Sequence, residues 1–361
     1  MRMLFAFAGG NGHLQPLLPL AYAARCASHA VAVTGRPAVL PKDLEGFPAG
    51  ADVPDDARRP LARLDRAREE REFRDGFGGW IARERAATTR RVAERWRPDV
   101  IVCDEADFGS MIAAESLGIP HASVVVLAAG TFGRPEGLSD LLDAARAEHG
   151  LPPDPTLAML ERHLVISPVP PSFHARPGTT PMRPFPPAVP SPTTPPTVYF
   201  TLGTIFNTES GDLFARVLSG VRDLPVELVV TVGGGIDPTE LGEQPPNVRV
   251  ERYIPQAELL PRCSAVISHA GSGTVVGSLA HGLPMVLIPM GADQPANAER
   301  CADLGAGVVL DAVDSTPSDA ADAVQAVLTE ASYGAAAAAL RAEATAMPAP
   351  EDVLPLLETL R

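Results

Sequence analysis

Lysine, clustered cysteine and long apolar runs are all scarce in this 361-residue chain. Lys42 is the sole lysine, and 44 acidic residues against 30 basic ones give a formal net charge of −14. That charge argues against nucleic acid or an anionic membrane surface as a partner. The apolar runs break well before the roughly 18–20 residues that a membrane span requires, so we expect no membrane association.

The few cysteines form neither a metal motif nor a redox motif. They lie far apart, without a CxxC pair, at Cys26, Cys103, Cys263 and Cys301. Neither half of the chain contains an Asp-x-Asp motif, so the sequence predicts no bound metal. Scattered thiols are typical of a reducing compartment, and we therefore expect a cytoplasmic protein.

The length of the chain exceeds one ordinary hydrophobic core and fits two domains of about 150–200 residues each. A composition of 45% hydrophobic and 20% charged residues is globular. Residues 168–196 are so rich in proline that we expect an extended linker, which neither pairs in a sheet nor continues a helix. This predicts an N-terminal domain at 1–167 and a second domain at 197–347.

Each half repeats an alternation of short apolar runs with helical stretches. Near-continuous apolar runs are typical of parallel strands buried on both faces. The predicted strands are Met3–Ala8, Ala30–Thr34, Val100–Cys103 and His121–Leu127, then Val198–Leu202, Val226–Val232, Val248–Arg252, Ala265–Ser268, Met285–Ile288 and Val308–Leu310. The predicted architecture is α/β, with two doubly wound domains facing each other across a cleft. Ligands bind such sheets beyond the carboxyl ends of the strands.

The stretch 55–97 departs from this alternation. It is dense in Arg, Glu and Asp, with Phe73, Phe77 and Trp80 placed around several glycines. Two interpretations are open: a solvated helical excursion held by a few apolar side chains, or an aromatic lining for an apolar substrate. Phe132 is a further aromatic candidate for the same lining.

A glycine-rich turn in the second half predicts an anion site. Residues 269–274 read His-Ala-Gly-Ser-Gly-Thr, between a predicted strand and the predicted helix Val275–His281. Such a turn exposes backbone N–H groups, and the helix dipole adds partial positive charge. Residues 264–299 contain no Lys or Arg, so amides, hydroxyls and His269 would have to hold a phosphate there. A tight structural turn is the alternative interpretation.

An Asp-Gln pair follows the predicted strand Met285–Ile288. Asp293 and Gln294 offer acceptors and donors that suit sugar hydroxyls. The alternative is structural, with Asp293 as the N-cap of a predicted helix at Pro295–Leu304. Both interpretations are compatible with the sequence.

His13 follows the first predicted strand and begins the first predicted helix. A helix N-terminus disfavours imidazolium, so we expect a neutral ring that can accept a proton as a general base. Asp104 and Asp107 follow the strand Val100–Cys103 at the same sheet edge. An Asp there orients the ring and stabilises the imidazolium that forms. Asp104, nearest the strand end, is the first choice and Asp107 the second.

Five motifs run through the chain in a recognisable order. They are Gly12-His13-x-x-Pro16, Pro98-Asp99-x4-Asp104, Tyr253-Ile254-Pro255-Gln256, His269-x-Gly271-x-Gly273-Thr274 and Asp293-Gln294. The combination resembles the family 1 glycosyltransferases, above all the bacterial branch that decorates natural products, over nearly the whole chain. The resemblance implies a GT-B fold of two Rossmann-like domains. It also implies inverting, metal-independent transfer from a TDP- or UDP-linked sugar to a small, largely apolar acceptor.

The resemblance also assigns roles to residues. His13 takes the position of the catalytic base and Asp104 that of its partner. The donor-binding positions are Gly12, Thr204, Tyr253, Ile254, Gln256, His269, Gly271, Ser272, Gly273, Thr274, Asp293 and Gln294. The acceptor candidates Phe73, Phe77, Trp80 and Phe132 come from the residues themselves and not from the resemblance. Within the donor set, the glycine-rich turn and Thr204 fall on the diphosphate, Asp293 and Gln294 on the sugar hydroxyls, and Tyr253 with Ile254 on the nucleotide base.

Two positions depart from the plant members of the family. Tyr253 stands where they carry a Trp, and Gly277 stands where they carry a ribose-binding Glu. At the other end of the resemblance, residues 348–361 are similar to the family's closing helix. We expect that helix to pack back on the N-terminal domain.

Other function classes remain as alternatives. A cell-wall transferase acting on a lipid-linked sugar calls for a basic or apolar membrane-facing patch, which the net charge disfavours. A non-catalytic nucleotide-sugar-binding protein is expected to lack a base, yet His13 and Asp104 are both present. A dinucleotide dehydrogenase needs G-x-G-x-x-G and an acidic residue where Thr34-Gly35-Arg36 stands. The expected partners are a nucleotide sugar and a small acceptor, and a homodimer is left open.

Overall fold

The computed structural model describes residues 1–50, 58–130, 135–174, 176–186, 191 and 193–360. Two parallel sheets with helices on their faces form the framework, which confirms the predicted α/β class. The first sheet contains β1 (Arg2–Ala6), β2 (Ala30–Gly35), β3 (Glu45–Pro48), β4 (Val100–Asp104), β5 (His121–Val124), β6 (Leu164–Ser167) and β7 (Thr179–Pro181). The second contains β8 (Thr197–Thr201), β9 (Glu227–Thr231), β10 (Val248–Glu251), β11 (Ala265–Ser268), β12 (Met285–Leu287) and β13 (Gly307–Val309).

Helices connect the strands in both halves of the molecule. Those of the first half are α1 (Asn11–Leu14), α2 (Leu18–Cys26), α3 (Arg66–Phe73), α4 (Ala82–Trp96), α5 (Phe108–Ser116) and α6 (Pro135–Glu148). Those that follow are α7 (Leu213–Val221), α8 (Gln256–Leu259), α9 (Ser272–His281), α10 (Gln294–Asp303), α11 (Pro317–Thr329), α12 (Ala331–Ala346) and α13 (Pro350–Glu358). A π-helical segment, Arg74–Ile81, joins α3 to α4 without a break.

The strand order places one switch point in each sheet. The order is β3-β2-β1-β4-β5-β6-β7 in the first sheet and β10-β9-β8-β11-β12-β13 in the second. The order in which the chain adds strands to the sheet reverses at two places, although all the strands run parallel. One lies between β1 and β4, where Ala6 is opposite Cys103, and the other between β8 and β11, where Thr201 is opposite Ser268. Ligands of doubly wound sheets bind at such points, beyond the carboxyl ends of the strands.

The central strands are buried on both faces, as their apolar runs predict. In β1, Met3, Leu4, Phe5 and Ala6 are at most 1% exposed. The predicted strand His121–Leu127 ends early, at Val124, because the amides of Val126 and Leu127 turn away to the carboxylate of Glu105. A polar side chain from a neighbouring loop thus replaces the last hydrogen bonds of the ladder.

One prediction for the proline-rich segment is wrong. Thr179–Pro181 pairs with β6 and forms the last strand of the first sheet, although we expected no pairing within 168–196. An edge strand forms ladder hydrogen bonds on one side only. Pro181, at the end of this strand, lacks an N–H, but no second neighbouring strand needs it. Part of the segment, namely Ala175, residues 187–190 and Pro192, lies outside the described residues.

The last helix, α13, packs against α2 in the half built on the first sheet. Val353, Leu354 and Leu357 belong to the core of that half, and Glu358 pairs with His29 at 3.0 Å. The chain therefore returns from the second sheet to the first. None of the helices in the described ranges is long and apolar enough to cross a membrane.

Candidate active site

His13 is fixed by the turn that follows β1. Its ring folds back over Gly9, where an added Cβ would lie 2.0 Å from Cδ2 of the imidazole, so this position accepts only glycine without rearrangement. Gly10 is the N-cap of α1, and His13 is the third residue of that helix. The side chain is 19% exposed and lies at the switch point of the first sheet.

Asp104 is the partner that the structure places beside this ring. Its Oδ1 is 3.2 Å from Nδ1 of His13, and its side chain is fully buried. The amide of Ala8 donates to Oδ2 at 2.8 Å and that of Ala106 to Oδ1 at 2.7 Å. Two backbone donors therefore hold the carboxylate at the imidazole.

The pKa of His13 is raised above its ordinary value of 6.5. Burial is the largest single influence and lowers the pKa, but Asp104, Asp293 and Glu105 together raise it by more, with Asp104 first among them. We expected the helix N-terminus to keep the ring neutral, and that expectation is wrong in direction. The carboxylates near the ring favour imidazolium more than burial disfavours it.

Asp107, the second choice, is occupied elsewhere. Its Oδ2 accepts from Arg85 at 2.8 Å and from the hydroxyl of Ser110 at 2.7 Å, and its Oδ1 caps α5. Both members of the Arg85 pair are buried. This carboxylate therefore anchors α4 to α5 and does not face His13.

Of the aromatic candidates that the structure describes, Phe77 alone is found against the ring of His13. It stacks on the His13 ring at 5.2 Å between centroids, with 11° between the planes. Phe73 stacks behind Phe77 and is buried in the core, while Trp80 is 59% exposed. Phe77 lies in the π-helical segment, an irregularity frequently found at functional sites. Phe132 lies outside the described residues.

In the second sheet, the turn after β11 leads into α9. No side chain of the described residues caps the helix at Gly271, and the first amide bonded back to the turn is that of Val275. Beside Gly273, as beside Gly12 of the first half, an added Cβ would meet no atom within 4 Å. The amides of Ser272, Gly273 and Thr274 are therefore at an open helix N-terminus, suited to an anion.

His269 lies wedged between two glycines of this turn region. A Cβ at Gly203 or at Gly271 would approach its ring to 2.6 and 2.5 Å. Burial lowers the pKa of His269 to about 4, so the ring is neutral at pH 7. Thr204, which follows Gly203, is exposed. The turn thus offers uncharged donors.

Asp293 does not act as a helix cap. It stands at the N-cap position of α10 but makes no capping hydrogen bond there. Instead its Oδ2 accepts hydrogen bonds from the Ser272 hydroxyl at 2.5 Å and from the side-chain amide of Asn297 at 2.7 Å. Burial raises its pKa, against the effect of these bonds. Gln294 is buried, and its Oε1 accepts from the amides of Met290 and Gly291.

Asn297 is a site residue that the sequence analysis missed. It is fully buried, and its amide nitrogen also donates to the carbonyl of Ala270 at 3.0 Å. Its Oδ1 accepts from Ala129 of the other half at 2.9 Å, while Ser272 accepts from Ala128 at 2.6 Å. The signal was its position four residues after Asp293, one helical turn away.

The geometry has counterparts among known proteins. Residues 215–360 match the model described as "Erythromycin biosynthesis protein CIII-like, C-terminal domain". Elloramycin glycosyltransferase ElmGT of Streptomyces olivaceus is 30% identical over 99% of this chain and 97% of its own length. The chain belongs to the bacterial natural-product glycosyltransferases of family 1.

Solved structures of similar glycosyltransferases confirm the GT-B fold. The glycosyltransferase VinC in complex with DTDP is 25% identical, with a TM-score of 0.77 over 100% of this chain and 99% of that one. The glycosyltransferase SsfS6 of Streptomyces sp. SF2575, complexed with thymidine diphosphate, is also 25% identical. Its TM-score is 0.78 over 99% of this chain and 100% of that one.

The positions that the family uses for the nucleotide base and for the ribose lie in different surroundings. Tyr253 is 65% exposed, and Ile254 beside it is partly buried. At Gly277 an added Cβ would meet the side chain of Leu260 at 3.0 Å, so a larger residue there would have to displace that leucine. Gln256 donates to the hydroxyl of Thr274 at 3.0 Å and so supports the first turn of α9. Among the described residues, no three His, Cys, Asp or Glu side chains form a metal site.

Proposed function

We propose that this glycosyltransferase moves a sugar, with inversion, from a TDP- or UDP-sugar to a hydroxyl of a small, largely apolar natural product. One observation carries the proposal: the His13–Asp104 pair of the first half lies close enough to Asp293 of the second for their charges to interact. A proton acceptor and a group suited to sugar hydroxyls therefore share one site where the two halves meet.

The base in this mechanism is His13. Since Nδ1 faces Asp104, Nε2 is the nitrogen that takes the acceptor's proton. The acceptor oxygen then attacks the anomeric carbon from the face opposite the diphosphate, and Asp104 stabilises the imidazolium that forms. A positioned general base contributes about 10²–10⁴-fold. The acceptor lies against Phe77, with Trp80 at the rim and Phe73 supporting Phe77 from the core.

The leaving diphosphate is bound at the N-terminus of α9. The amides of Ser272, Gly273 and Thr274 and the neutral ring of His269 are fixed before the reaction, and they stabilise the charge that develops. We propose that these groups suffice without a divalent cation. Asp293 and Gln294 bind the sugar hydroxyls, with Asp293 held by Ser272 and Asn297.

The solved relatives favour thymidine diphosphate over uridine diphosphate. The relatives VinC and SsfS6 were both solved with it bound. We extend that preference to this chain, with Tyr253 and Ile254 next to the nucleotide base.

The test is a transfer assay with purified protein, in EDTA. TDP- and UDP-sugars are offered with a panel of hydroxylated aromatic and macrocyclic acceptors, and products are detected by mass spectrometry. We expect a glycoside from a TDP-sugar, with an anomeric configuration by NMR opposite to that of the donor. Retained configuration, or activity restored only by added Mg²⁺, would contradict the mechanism. Absence of any glycoside alongside tight TDP binding would favour a binding protein.

A further inference from the structure

The turn that carries Asp293 is held from the other half of the molecule. Glu69 in α3 accepts, through Oε2, a hydrogen bond from the amide of Ala292 at 2.8 Å. The two residues are 223 positions apart in the chain. Glu69 is 11% exposed, and its Oε1 pairs with Arg68 at 2.9 Å. A charged, nearly buried carboxylate therefore binds the backbone immediately before Asp293.

Ala292 needs this support because of its backbone conformation. Its φ is +53°, in the left-handed region that residues other than glycine rarely adopt. Such a conformation persists where surrounding contacts hold it. The amides before it, of Met290 and Gly291, are both bonded to Gln294. Glu69 supplies the contact for the third amide in the row, at the strained residue itself.

The approach of α3 to this turn is close and is flanked by ion pairs. An added Cβ at Gly291 would lie 3.0 Å from Oε2 of Glu69, so the turn fits closely against the carboxylate. Arg66 pairs with Glu299, and Arg63 pairs with Asp314 through two hydrogen bonds at 2.6 and 2.7 Å. The segment 63–69 is thus seated on the second-sheet half.

The same helical run continues to the base. From Glu69 it passes through Phe73 into the π-helical segment, where Phe77 stacks on His13. One continuous element therefore contacts the turn beside Asp293 and the ring of His13. Its seating sets both the donor-sugar side and the base side of the site.

We infer that Glu69 is a positioning residue for the donor sugar, holding the turn 290–293 so that Asp293 faces the sugar when α3 is seated. The inference rests on the proposed function. Glu69 acts through the turn and not on the diphosphate, which α9 holds. Its loss is therefore expected to affect recognition of the sugar more than affinity for TDP.

The experiment compares Glu69→Ala and Glu69→Gln with Glu72→Ala. Glu72 lies on the same helix, is 66% exposed and pairs with Arg68, so its loss removes an equal charge away from the turn. Steady-state kinetics use a TDP-sugar that the wild type transfers, and calorimetry measures TDP. We expect Glu69→Ala to lower kcat/KM for the donor about 10- to 100-fold, while the Kd for TDP changes less than about twofold. Glu69→Gln, which keeps an acceptor oxygen, recovers most of the rate.

A second variant tests the turn itself. Glycine adopts positive φ without strain, so Ala292→Gly is expected to make the loss caused by Glu69→Ala smaller. An undiminished loss in that background, or equal losses of sugar and TDP binding, would overturn the positioning role. Wild-type kinetics of the Glu69→Ala variant would overturn that role as well. A wild type that transfers from no nucleotide sugar refutes the proposed function instead, which separates the two failures.

Discussion

Two histidines, one from each half of the molecule, have pKa values shifted in opposite directions. Burial lowers the pKa of both rings. At His269 it acts almost alone and brings the pKa to about 4. At His13, Asp104, Asp293 and Glu105 together outweigh burial, and the pKa is raised. In the proposed mechanism, the same side chain therefore binds a phosphate without charge in one half and receives a proton in the other.

Replacing the two rings separates these roles most strongly. His13→Ala is expected to lower kcat about 10²–10⁴-fold because it removes the proposed general base. TDP affinity is expected to stay near the wild-type value. His269→Ala is expected to weaken TDP binding instead. Single-turnover kinetics and calorimetry on both variants test the contrast. Wild-type turnover by His13→Ala would remove the general-base assignment.

Asp104→Asn is expected to lower the pKa of His13, in the direction of the low pKa of His269. The variant removes the largest of the influences that oppose burial, so the pKa of His13 falls. The acid limb of kcat/KM, where activity is lost as pH falls through that pKa, moves to lower pH. The maximal rate drops by up to about tenfold for each unit of pKa lost.

A stability measurement accompanies the pH profile of that variant. Ala8 and Ala106 both donate to Asp104, and asparagine has one acceptor oxygen for these two amides. We expect the free energy of unfolding to fall by about 1–3 kcal/mol. The protein must therefore be shown to be folded at each pH. An unmoved acid limb in a folded variant would assign that limb to another group.

Because the two pKa shifts are opposite, the two histidines change the free energy of unfolding in opposite directions as the pH falls. The folded pKa of His269 is about 4 against 6.5, so its contribution is present above pH 6.5 and is lost as pH falls to 4, by about 3 kcal/mol. The raised pKa of His13 gives a contribution that is present at low pH and lost as pH rises through that pKa. Urea unfolding between pH 7 and 5 is expected to show a shallower acid loss in His269→Gln and a steeper one in His13→Gln. Equal slopes in all three proteins would contradict the opposite shifts.

Local sequence signals predicted much of this framework. The apolar runs of β1, β4, β8 and β11 are buried strands, and the turns that follow them carry His13, Asp104 and the glycine-rich segment. Each of these is a short-range pattern, in which a strand leads directly into a turn. The α/β class and the family therefore followed from the sequence.

What sequence reasoning missed depends on contacts between distant residues. Part of the upward shift in the pKa of His13 comes from Asp293, which is 280 positions away in the sequence. Glu69 shows no motif, since its meaning comes from an amide in the other half of the chain. The edge strand β7 was missed because its proline content is unfavourable only for a central strand.

The smallest expected effect on stability and TDP affinity comes from a substitution that displaces the ring of His269 and leaves His13 in place. Gly271→Ala puts a methyl group 2.5 Å from the His269 ring, whereas Gly273→Ala, two residues on, meets no protein atom within 4 Å. Overpacking of this kind costs about 1–3 kcal/mol, so thermal unfolding is expected to show a loss for Gly271→Ala alone. TDP affinity is expected to fall with it, because the displaced ring no longer lines the anion site. The acid limb of kcat/KM is expected to stay where it is, since His13 and Asp104, the carboxylate that raises its pKa most, lie in the other half and are untouched. If that limb moved in Gly271→Ala, the two histidines would be coupled, and the contrast between an independent phosphate ligand and an independent base would have to be given up.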